Sequence, residues 1–124
     1  EGKIEKPFTV LIADDNEDIR NYLRELLKGD YEILEAEDGA DALSLINKEM
    51  PDLVISDVMM PNIDGIKLCQ ELKSQISTSH IPVILLTART SLDYELEGLQ
   101  TGAEDYITKP FNSDELIAKI RAQG

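Results

Sequence analysis

Thr9-Val10-Leu11-Ile12-Ala13-Asp14-Asp15 is a short apolar run that stops abruptly on two carboxylates. Its length, its β-branched content and its charged end predict a buried strand. Leu53-Val54-Ile55-Ser56-Asp57 has the same form, again ending on a carboxylate, and Pro82-Val83-Ile84-Leu85-Leu86-Thr87 ends on a hydroxyl. Continuous rather than alternating hydrophobicity means both faces of each strand are covered, as in the middle of a parallel sheet.

The segments between these runs have helical spacing. Ile19, Tyr22, Leu23, Leu26 and Leu27 recur every three or four residues, with Asp15 or Asn16 as cap and Gly29 as stop. Asp38 caps a helix carrying Ala42, Leu43 and Ile46, and Pro51 lies beyond its end. Asn62–Gly65 is a turn cluster before a helix with Ile66, Cys69 and Leu72. Ser91 caps a helix with Leu92, Leu96 and Leu99, stopped by Gly102. Asn112 and Glu115 have capping-box spacing before Leu116, Ile117 and Ile120. Two more polar strands complete the set, Tyr31–Ala36 and Asp105–Thr108, the latter running into Lys109-Pro110.

Five strands alternating with five helices imply right-handed βαβ units and an α/β fold with a parallel sheet. The polar second and fifth strands belong at the edges. Strand order 2-1-3-4-5 satisfies this, the doubly wound, flavodoxin-like arrangement. Residues 1–7 are charged and aperiodic and read as a linker or remnant; residues 8–124 read as one domain.

Ligands of such sheets bind beyond the carboxyl ends of the strands. Those ends present Asp14 and Asp15, Asp57, Thr87 and Lys109. Taken singly, an Asp-Asp pair is a helix cap, the threonine a turn residue and the lysine a solvated loop residue. Their joint placement on one rim is what points to chemistry. Two like charges about 4 Å apart repel by about 4 kcal/mol at an effective dielectric near 20. A proton or a cation must therefore sit among the carboxylates. Hard oxygen donors suit Mg²⁺, and no His–Cys cluster competes for zinc. A carboxylate can also accept a phosphoryl group. That transfer needs positioning and neutralised equatorial oxygens, which Lys109 and the Thr87 hydroxyl can supply. Asp57, between the acidic pair and Thr87, is the best-placed acceptor.

Composition narrows the remaining classes. The net charge is −13, so the surface repels nucleic acid and anionic lipid. No stretch is long and apolar enough to cross a bilayer, and residues 1–10 do not resemble a secretory leader. The lone Cys69 fits a reducing, cytoplasmic setting.

The segments Leu11-Ile12-Ala13-Asp14-Asp15-Asn16, Val54-Ile55-Ser56-Asp57-Val58-Met59-Met60-Pro61, Asp64-Gly65, Pro82–Ala88, Gly102–Ile107 and Lys109-Pro110-Phe111 together resemble the receiver domains of bacterial two-component response regulators. The resemblance implies a phosphoacceptor switch rather than a turnover enzyme. Asp57 receives phosphoryl from a phosphohistidine on a sensor kinase or phosphotransfer protein. Mg²⁺ is bound by Asp14, Asp15, Asp57 and the backbone carbonyl of Met59. Thr87, Ala88 and Lys109 bind the phosphoryl group once it is on Asp57, Thr87 and Lys109 holding its oxygens and Ala88 being small enough to allow access. Thr87 and Tyr106 form the switch, and Lys109-Pro110 is a cis peptide. Met59 and Arg89 stand where relatives tune dephosphorylation.

The resemblance also implies that the face of the fourth helix, fifth strand and fifth helix changes shape toward an output domain or downstream regulator. A homodimer through that face is open. The stretch from Thr78 to Arg89 is similar to receivers of hybrid sensor kinases, so a longer parent, membrane-anchored if it is such a kinase, is expected. His80, in a loop before a strand, is read as structural. Two readings compete. A degenerate receiver would serve only as a docking module, against which the intact acidic set argues. A haloacid dehalogenase-like phosphatase would need a second Asp two residues after its nucleophile, where this chain has Asn16 or Glu17. A nucleotide-binding flavodoxin-like protein is weaker still, for want of a P-loop or Gly-x-Gly-x-x-Gly.

Overall fold

The computed structural model describes residues 7–88 and 102–123. Its elements in chain order are β1 (Thr9–Ala13), α1 (Glu17–Leu27), β2 (Glu32–Ala36), α2 (Gly39–Glu49), β3 (Leu53–Asp57), α3 (Gly65–Ser74), β4 (Val83–Ala88), β5 (Asp105–Lys109) and a helix here numbered α4 (Ser113–Gln123). The five strands form one sheet in the order β2-β1-β3-β4-β5, every pairing parallel. Four helices lie among the described residues; the helix expected from Ser91, with Leu92, Leu96 and Leu99, falls outside them, as does Arg89.

Strand residues alternate between two apolar layers, because successive side chains point to opposite faces. Leu11, Val54, Val83 and Leu85 pack with Ala42, Ile46, Leu68, Cys69 and Leu72 of α2 and α3. Val10, Ile12, Ile55, Ile84 and Leu86 pack with Leu23, Leu27, Leu116 and Ile120 of α1 and α4. β1 and β3 are buried along their whole length, whereas β2 and β5 are partly open. The continuous apolar runs thus occupy the centre and the charged strands the edges. No helix among the described residues is long and apolar enough to cross a membrane.

Several boundaries differ from the sequence expectation. Tyr31 is not in β2: its N–H donates to the Leu27 carbonyl, which ties it to the end of α1. Lys28, not Gly29, ends α1, with right-handed backbone. Pro82 precedes β4 and lends only its carbonyl, to Val54 N. α2 ends on Met50 in left-handed backbone, φ 51°, directly before Pro51. Asn16 caps α1 by accepting from the N–H groups of Asp18 and Ile19. Asp38 and Asp64 cap α2 and α3 in the same way, through Asp41 N and Lys67 N. Asn112 Oδ1 accepts from Asp114 N and Glu115 N at the start of α4.

Candidate functional site

Parallel strands share one direction, so the carboxyl ends of β1, β3, β4 and β5 form a common rim. Asp14 follows β1, Asp57 ends β3, Thr87 stands one residue before the end of β4, and Lys109 ends β5. The carboxylates of Asp14, Asp15 and Asp57 have oxygens that lie within 4.8 Å of one another. Lys109 Nζ stands 3.0 Å from Asp57 Oδ1 and 3.6 Å from Asp14 Oδ2. Three carboxylates thus face one ammonium in a small volume. Asp14, Asp57 and Thr87 are buried, and Asp15 opens to solvent.

Two buried oxygens on this rim, Asp14 Oδ2 and Thr87 Oγ1, make no hydrogen bond with any described residue. Buried polar atoms in folded proteins nearly always have partners, so these two are open to a ligand. Asp14 Oδ1 is occupied, accepting from Asn16 N at 2.9 Å. The Asp14 carboxyl is pushed above the ordinary carboxylate value, first by burial, then by Asp57 and Asp15; the Asn16 N–H and Lys109 oppose the rise. Hard oxygen donors, surplus negative charge and an unbonded buried oxygen together fit a divalent cation such as Mg²⁺.

The remaining expected residues fall as follows. Met59 is exposed, two residues beyond Asp57. Ala88 is exposed at the end of β4. Tyr106 is half-buried, pairs in register with Leu85 and packs against the layer under α2 and α3. The Lys109–Pro110 peptide is cis. His80 is exposed. Beside the rim, Ile19, Tyr22, Ala88, Lys109, Pro110 and Phe111 line an open apolar cavity of about 470 Å³.

The main chain at Asp57 is supported in ways the sequence did not announce. Ser56 Oγ donates to the Asp57 carbonyl at 2.9 Å, and Gly65 N donates to the Val58 carbonyl at 2.9 Å. Gly65 opens α3 against this strand end. A methyl group there would run into the carbonyl of Asp57 and the Cα of Val58. Both obstacles are backbone, so no rotamer change relieves them. Gly65→Ala is expected to lower unfolding free energy by about 2 kcal/mol, as overpacking does. Urea denaturation measures this, and an unchanged midpoint would mean that the strand and helix are not pressed together here.

A family model described as the response regulator receiver domain matches residues 10–121. This chain belongs to that family, whose members act as phosphoacceptor signalling switches. It is 51% identical over 113 residues to Histidine kinase P4 of Formosa agariphila, covering 91% of this chain and 8% of that protein. It is 45% identical over 117 residues to the uncharacterized transcriptional regulatory protein YrkP of Bacillus subtilis, covering 94% and 49% respectively. The chain therefore spans half or less of these two relatives. Among solved structures, a putative response regulator from Chloroflexus aurantiacus superposes with a TM-score of 0.91 at 37% identity, covering 95% of this chain and 98% of that one. The receiver domain of a signal transduction histidine kinase from Syntrophus aciditrophicus gives 0.87 at 34% identity, covering 93% and 88%.

Proposed function

We propose that Asp57 accepts a phosphoryl group from a phosphohistidine on a sensor kinase or phosphotransfer protein, with Mg²⁺ held by Asp14, Asp15, Asp57 and the Met59 carbonyl. The observation that carries this reading is Lys109 Nζ 3.0 Å from Asp57 Oδ1 inside a three-carboxylate pocket. An acceptor carboxylate with a cation already at its side is arranged for incoming negative charge.

In the transfer, a free oxygen of Asp57 forms the new P–O bond as the donor's P–N bond breaks, and the imidazole leaves with the electron pair. Lys109 neutralises one phosphoryl oxygen. The Thr87 hydroxyl, which has no hydrogen-bond partner among the described residues, donates to another, and small Ala88 leaves the approach open. Mg²⁺, when bound, supplies the remaining charge neutralisation. The domain does not turn over substrate by itself.

The new dianion draws the Thr87 hydroxyl toward it, which vacates space for the Tyr106 ring. The face read in the sequence as fourth helix, fifth strand and fifth helix (the last two being β5 and the helix here numbered α4) then changes shape toward an output domain or downstream regulator. A differential contact of this kind is what a shift between two states requires. A homodimer through this face, a cytoplasmic setting and a hybrid-kinase parent complete the reading, and the relative named as a histidine kinase supports the last. A small acyl phosphate is the direct test. One phosphoryl group per chain, Mg²⁺-dependent and removed by hydroxylamine, is expected by mass spectrometry. Absence of label with Mg²⁺ present would leave a docking module without phosphorylation.

A further inference from the structure

Asp14 and Asp15 lie on a short loop between β1 and α1, and the loop is fastened at several points. Asp14 N donates to the Ala36 carbonyl at 3.1 Å. Asp14 Oδ1 accepts from Asn16 N. The Asp14 carbonyl accepts from Arg20 Nη1 at 2.7 Å, a charge-assisted bond from α1. The same guanidinium donates through Nε to Glu35 Oε1 on β2 at 3.3 Å. Glu35 Oε2 in turn accepts from Arg24 Nη1 at 2.9 Å. The Arg20 side chain is only 13% exposed. Its fork thus spans two elements and ends on a carbonyl of the acidic pocket.

A peptide unit is planar, so holding the Asp14 carbonyl also orients the plane that carries Asp15 N and Cα. The one contact therefore holds the main chain from which both carboxylates project. Electrostatics alone argues against an arginine here, because a positive charge beside a cation site weakens binding. The geometric service of Arg20 and its electrostatic effect have opposite signs, and this makes its role measurable.

We infer that Arg20 is a positioning residue for the acidic pocket, holding the Asp14–Asp15 peptide so that both carboxylates meet a divalent cation. This rests on the reading of the pocket as a divalent-cation site. Lysine cannot replace it, because a single ammonium cannot reproduce the two-pronged span. Partners that orient metal ligands typically change affinity by about 10- to 100-fold when removed.

The test is Mn²⁺ binding to the whole chain, followed by electron paramagnetic resonance, with melting in chelator as a metal-free control. The parent is expected to bind one ion. Arg20→Met is expected to bind it about ten-fold more weakly, at the lower end of the effect for such partners. Arg20→Lys, which keeps the charge and loses the fork, is expected to weaken binding too. Lys28→Met removes a positive charge from the end of the same helix, where Lys28 pairs with Glu25 rather than with Glu35 or Asp14, and its affinity should stay at or above the parent's. A folded Arg20→Met that binds as tightly as the parent, or more tightly, overturns the proposal. If that variant fails to fold, Arg20→Lys decides by the same criterion. A parent that binds no Mn²⁺ instead brings down the metal-site reading itself.

Discussion

Asp57→Ala is expected to take up no phosphoryl group from a small acyl phosphate, whatever the Mg²⁺ concentration. The effect is all-or-none because the substitution removes the atom that forms the new bond, not a group that assists it. The neighbours are poor substitutes. Ser56 is fully buried, and its hydroxyl is engaged with the Asp57 carbonyl. Asp14 is 1% exposed, with one carboxylate oxygen bonded to Asn16 N. Asp15 is exposed, but the ion pair of Lys109 runs to Asp57 and Asp14 rather than to it. The variant should still fold, since removing Asp57 lessens carboxylate repulsion and Lys109 keeps Asp14 at 3.6 Å. Circular dichroism and intact-mass spectrometry on the same sample separate the two questions. Stoichiometric label on a folded Asp57→Ala would move the acceptor to another residue.

The rim of the sheet was legible in the sequence because the apolar run of each central strand stops on polar side chains. Ala13 to Asp14, Ile55 to Ser56-Asp57 and Leu86 to Thr87 mark the point where the apolar core gives way to the ligand side. The strand order was legible for a related reason: the edge strands carry the charges, Glu32 and Glu35 in β2 and Asp105 and Lys109 in β5. The bracing of the rim was not legible. Glu35 read only as a charge interrupting a strand, yet it holds Arg20 and Arg24 across from α1. That pairing depends on how β2 packs beneath α1, which no local periodicity encodes. Gly65 read as a turn residue, and its closeness to Asp57 appears only when α3 is set against β3. Tyr31 looked like strand because it is aromatic and β-prone. Its N–H was already committed to α1, and its ring packs edge-on against Phe8, with centroids 5.6 Å apart.

Asp14→Asn should reverse its effect on stability according to whether a divalent ion is present. Without metal, the folded-state pKa of Asp14 lies above its unfolded value, chiefly through burial, with Asp57 and Asp15 adding to the rise. A raised pKa means the native state holds the proton more tightly than the unfolded chain. The contribution to stability is therefore complete below the unfolded pKa and is lost as pH rises through the folded one. At neutral pH in chelator, the parent carries a buried charge that the amide variant lacks, so Asp14→Asn should raise the melting temperature. The gap should close as pH falls toward the carboxylate range. Added Mg²⁺ turns the order round. At free ion about 100 times the dissociation constant, binding to the native state adds about 2.7 kcal/mol to the parent. The variant has lost an anionic donor and should gain much less. Thermal melts across pH, with chelator and with Mg²⁺, read both signs from one pair of proteins. A variant less stable than the parent in chelator at neutral pH would show that the Asp14 carboxylate is already satisfied without a metal, and the case for a cation between Asp14, Asp15 and Asp57 would lose its physical basis.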